Sequence, residues 1–128
     1  MKRFILLTLS RIHAIFVCCI VFTTIMALIP IEDVPNPFNS WDKTQHALAF
    51  VVLTITGCLA YPQKTKVVYI GLILYGASIE IMQSTLTITR IGEISDLLAD
   101  SVGVGIGFII YLLVRKNIQS NIYHGHDQ

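Results

Sequence analysis

Apolar residues run through this chain in four long blocks, and most of its charge gathers between them. The blocks extend roughly over residues 12–30, 44–61, 67–88 and 97–114. Each is long enough, at 1.5 Å rise per residue, to cross a hydrocarbon layer about 30 Å thick as a helix. The punctuation is polar: PIEDVPNPFNSWDK follows the first block, PQKTK the second, TRIGEISD the third and RKNIQSN the fourth. Pro30, Pro35, Pro37 and Pro62 fall at block edges or in connections, where a missing backbone donor costs least. The pattern predicts an all-α integral-membrane four-helix bundle, a single domain over residues 1–128 with residues 115–128 as a cytoplasmic tail.

Composition agrees with that solvent. Hydrophobic residues make up 54% of the 128 and charged residues 13%, with a mean hydropathy of +0.69, too apolar for a water-soluble domain of this size. The net charge of +1 says less than the positions of the nine basic residues. Lys2, Arg3, Arg11, Lys64, Lys66, Arg115 and Lys116 fall on one side of the four spans, and only Lys43 and Arg90 on the other. Basic residues favour the cytoplasmic face, so both termini are expected in the cytoplasm. A cleaved leader is the competing reading of the N-terminus, but Arg11 and His13 interrupt its apolar region and TTIMALIP offers no small-residue cleavage site. Cys18, Cys19 and Cys58 all lie in spans without metal-ligand spacing and read as small hydrophobes.

Against this background the stretch YGASIEIMQ, residues 75–83, is out of place, because Glu80 and Gln83 sit in an apolar block. An ionisable group in hydrocarbon costs at least a few kcal/mol and therefore has a partner, a cavity or a task. The topology puts Glu80 about 10 Å below the outer end of its span. Asp96 and Asp100 occupy the outer start of the fourth span, and Asp42, Lys43 and His46 that of the second. Helical spacing then aligns them: Gly76, Glu80 and Gln83 share one face, Asp42, His46 and Phe50 another, and Asp96, Asp100, Gly103 and Gly107 a third. Glycines four apart let a neighbouring helix approach closely, so the polar stripes face into the bundle. One outward-facing pocket formed by spans two to four is expected.

The residue types suit several chemistries. Glu80, Asp96, Asp100 and His46 are the groups used for general acid–base catalysis or for holding a divalent metal, although no specific metal motif is present. Lys43 and Arg90 at the mouth, with Asp42 and Gln83 nearby, suit an anionic head group. The chain has no glycine-rich phosphate loop, no Gly-x-Ser-x-Gly, no His-Glu-x-x-His and no basic patch with interleaved aromatics. A nucleic-acid partner is thus excluded and a lipid bilayer is the expected one.

The ordered pieces WDKTQHALAFVVL, YGASIEIMQ and RIGEISDLLADSVGVGIG resemble the VanZ-like family of small bacterial membrane proteins, whose namesake is associated with teicoplanin resistance. The resemblance covers roughly residues 40–110. Its pattern falls on Asp42, Lys43, His46, Glu80, Gln83, Arg90, Asp96, Asp100, Gly103 and Gly107. Many relatives carry an amide after the second aspartate, where this chain has Ser101. The resemblance implies a role in the cell envelope and in glycopeptide tolerance, but no reaction, cofactor or oligomeric state. Together with the outer-leaflet cluster it leads to the expectation of a protein that binds or modifies a lipid-linked envelope precursor. Two alternatives stay open: an assembly protein whose polar cluster only holds the bundle together, and a small proton-coupled carrier. The inner halves of spans two to four carry Thr54, Thr56 and Tyr69 but no charge, which disfavours the carrier.

Overall fold

The computed structural model describes residues 2–29, 39–86 and 94–124, with side chains described for residues 10–29, 43–86 and 94–117. Four helices follow one another: α1 (Lys2–Leu28), α2 (Asn39–Ala60), α3 (Thr65–Leu86) and α4 (Ile94–His124). All four are long and apolar enough to cross a membrane. Helical geometry outruns the apolar blocks at both termini, since α1 already begins at Lys2 and α4 continues to His124. An α-helix closes its own backbone hydrogen bonds and needs no hydrocarbon to persist.

The ends of α1 and α2 lie just ahead of Pro30 and Pro62. The α-region is disfavoured for a residue that precedes proline, and α1 stops at Leu28 just ahead of Pro30. The α2–α3 connection is a tight turn over Tyr61–Lys64, in which the Lys64 amide donates to the Tyr61 carbonyl at 2.9 Å and the amides of Val67 and Val68 donate to the Lys64 carbonyl. So short a connection forces α2 and α3 antiparallel.

Each helix turns one stripe inward. On α3 the buried residues are Val68, Leu72, Gly76, Ile79 and Gln83, a run of i, i+4, i+8, i+11 and i+15. Phe50, Leu53, Ile79 and Val104 are the largest apolar side chains fully buried at the centre. Phe22, Leu74, Ile81 and Leu98, by contrast, are each more than 60% exposed. Such an apolar exterior is at home only in lipid.

The closest pairing is between α2 and α4, and glycines make it so. A Cβ built on Gly103 would overlap the backbone carbonyl of Ala47, and one on Gly107 would lie 2.7 Å from the carbonyl oxygen of Val51. The two contacts are spaced by one turn on both helices, so the backbones of α2 and α4 run against each other over that length. Gly57 of α2 instead makes room for side chains of α1 and α3, with Phe16 and Val68 side-chain atoms within 3 Å of its would-be Cβ. α1 is otherwise peripheral: among its described residues only Ala27 is buried.

Candidate functional site

Alternating helix directions bring the start of α2, the end of α3 and the start of α4 to one end of the bundle. His46 lies seven residues into α2, Asp100 six into α4 and Glu80 six before the end of α3, so all three sit about 10 Å inside that end. His46, Glu80 and Asp100 each offer a ligating atom, and these atoms lie within 4.8 Å of one another. The structure thus brings together the histidine and two of the three carboxylates expected from the sequence.

His46 Nδ1 is 3.0 Å from Asp100 Oδ1, a contact across 54 residues that ties α2 to α4. With Asp100 ionised its oxygen accepts, and Nδ1 is the donor in this contact. Gly103, three residues beyond Asp100, sets the distance by admitting the Ala47 backbone directly beside His46. The second carboxylate oxygen, Asp100 Oδ2, is turned to α3. It would stand 2.8 Å from a Cβ on Gly76, and the lack of a side chain there makes the space it occupies. Asp100 is fully buried, and Oδ2 receives no hydrogen bond. Gly76 and Glu80 are one turn apart, so this oxygen rests against the face of α3 that carries Glu80.

One turn deeper on each of the three helices the chemistry stops. The residues there are Phe50, Gly76 and Val104, all buried. Below them Thr54 donates to the Phe50 carbonyl of its own helix at 2.7 Å, and Thr56 to the Val52 carbonyl at 2.8 Å. These hydroxyls are satisfied locally and add nothing to a polar path through the bundle.

The remaining residues of the expected set divide. Asp96 is buried on α4 one turn nearer the helix start, and Lys43 is half-buried on α2 three residues before His46. Gln83 points the other way, its Nε2 donating to the Ala27 carbonyl at 3.0 Å. That carbonyl is one of the last four of α1, which have no partner within their own helix, so Gln83 caps α1. Asp42 is part of α2, but its side chain lies outside the described residues, as does Arg90 altogether.

Two features had not been expected. Tyr75, next to Gly76, donates its hydroxyl to the Ile20 carbonyl at 3.0 Å and lies 2.7 Å from Thr24 Oγ1, which clasps α1 to α3. Its ring lies 5.8 Å from that of Phe50. A tyrosine in an apolar block carries no signal that distinguishes this clasp from simple packing. Secondly, a cavity of about 890 Å³ runs between α1 and α2, walled by apolar side chains including Cys18, Phe22, Leu48 and Val52, and reaching Gln45 and His46. It involves α1, whereas the pocket expected from the sequence involved only spans two to four.

No curated protein and no solved structure matches this chain. The family model for VanZ/LLP1 matches residues 4–115, which reaches all four helices and takes in His46, Glu80 and Asp100. With four spanning helices and that match, the chain is a multi-pass membrane protein that belongs to the VanZ/LLP1 family.

Proposed function

We propose that this protein acts at the outer face of the bacterial inner membrane, where it binds or modifies a lipid-linked envelope precursor and so lowers glycopeptide susceptibility. The observation that carries the reading is the meeting of two environments at His46. That residue belongs to the polar cluster with Glu80 and Asp100 and also lines the apolar cavity between α1 and α2. A lipid has the same two parts, a polar head and an apolar chain. The head group is assigned to the cluster end, with Lys43, Arg90 and Asp42 as its binding residues and His46, Glu80, Asp96 and Asp100 as acid, base or ligating groups, while Gln83, whose amide donates to the Ala27 carbonyl, is left out of it. The chain is assigned to the cavity. The seven-to-two distribution of basic residues supports placing both termini in the cytoplasm and the cluster end outside. The buried layer of Phe50, Gly76 and Val104 supports a site closed toward the opposite end of the bundle and argues against a carrier.

The test is glycopeptide susceptibility of a sensitive strain producing the wild type or Glu80→Gln at equal membrane abundance. The wild type is expected to lower susceptibility and the near-isosteric variant to lose that effect. Equal behaviour of the two would overturn the reading.

A second reading has its own observation. His46–Asp100 and Gln83–Ala27 each join two different helices, as interhelical glue in a membrane does. On that reading the cluster serves assembly, and variants lose abundance instead of changing susceptibility.

A further inference from the structure

Two carboxylates and one imidazole from three membrane spans stand within 4.8 Å of one another, with His46 Nδ1 3.0 Å from Asp100 Oδ1. Asp100 Oδ2, fully buried against the Gly76 face of α3, has no donor among the described residues. Buried acceptors are rarely left so, because the lost hydration is not recovered. The backbone is arranged to hold that oxygen in place, for only a glycine at position 76 leaves it room.

We propose that this cluster is a binding site for one first-row divalent cation, Mn²⁺ or Zn²⁺, ligated by His46 Nδ1, Asp100 and Glu80. The cation takes the place of the proton between His46 and Asp100. The Nδ1 to Oδ1 separation of 3.0 Å is also the edge of a coordination octahedron whose bonds are about 2.1 Å long. A half-buried Glu80 closes the remaining distance by side-chain rotation. One imidazole with two carboxylates selects a borderline first-row ion over Ca²⁺ or Mg²⁺, which favour all-oxygen shells. Two negative charges and one neutral ring balance a divalent ion, which is how a charged group is tolerated at this depth. Three protein ligands leave positions open for a phosphate or carboxylate oxygen. The proposal stands on the ligand set alone and does not depend on the lipid reading.

The experiment is a titration of the full chain, purified in detergent and stripped with a chelator, with Mn²⁺ followed by the loss of the free-ion paramagnetic resonance signal, and with Zn²⁺ as competitor. The wild type is expected to bind one ion that Zn²⁺ displaces and a large excess of Mg²⁺ does not, and to gain thermal stability with it. His46→Ala, Glu80→Gln and Asp100→Asn are each expected to weaken that site at least about a hundredfold and to lose the stabilisation. His13→Ala, at the other end of the bundle, should bind as the wild type does. Glu80 is only half-buried, so Glu80→Gln decides the matter even if Asp100→Asn does not fold. Binding by Glu80→Gln equal to that of the wild type overturns the proposal, and so does a wild type that takes up neither ion.

Discussion

Gly103 of α4 lies against the Ala47 carbonyl of α2 so closely that a single methyl group has no room between them. The neighbour of Ala47 is His46 and the residue one turn before Gly103 is Asp100, so backbone contact and the polar pair depend on each other. Gly103→Ala is expected to push α4 outward, lengthen the His46–Asp100 contact and destabilise the protein by about 1–3 kcal/mol, as overpacking of a close interface does. Gly105 has nothing within 4 Å of its would-be Cβ, and Gly105→Ala should be neutral or stabilising by about 0.5–1 kcal/mol. Unfolding from mixed micelles measures both, and a loss of stability in Gly105→Ala as large as in Gly103→Ala would refute the packing argument.

Removing one partner of the buried pair should cost more than changing the charge of the other. His46→Ala leaves the fully buried Asp100 without its donor and is expected to lose about 1–3 kcal/mol. Asp100→Asn retains an oxygen that accepts from Nδ1 and should lose less. The same unfolding measurement ranks the two; the reverse order would mean that the pair does not exist in the membrane.

The clasp between Tyr75 and Thr24 joins α1 to α3 inside the apolar layer. Hydrogen bonds between membrane helices couple by about 0.6 kcal/mol on average, with about 1.7 kcal/mol as the upper end. A double-mutant cycle with Tyr75→Phe and Thr24→Val should therefore give a coupling in that range. A coupling of zero would show that this clasp contributes nothing to the seating of α1.

Orientation follows from the basic residues. A cysteine introduced at Gln63, in the Lys64-bearing turn between α2 and α3, should react with an impermeant thiol reagent only after cells are opened. Labelling of intact cells would invert the protein and move the polar cluster to the cytoplasmic side.

The helices and the meeting of the cluster were readable in the sequence, because both follow from periodicity. Block length predicts a spanning helix, and Gly76–Glu80 and Asp100–Gly103–Gly107 mark faces that small residues bring together. What one residue's neighbour will be is a different matter. Gln83 shares the stripe of Glu80, yet one turn further along that face the nearest acceptor belongs to α1, and its amide is spent on the Ala27 carbonyl. Nothing local could forecast this, since α1 carries no complementary mark at Ala27. The cavity between α1 and α2 was equally hidden. Side-chain order along the chain does not record how closely two helices approach each other.

The loose seating of α1 has one more consequence. Only Ala27 of its described residues is buried, and Phe22, Leu48 and Val52, which wall the cavity beside it, are exposed on the exterior of the bundle. A molecule already dissolved in the bilayer can thus arrive at His46 by sliding sideways, without first passing through water. On the lipid reading proposed above, the search is two-dimensional, the local concentration is that of the membrane, and a weak intrinsic affinity suffices.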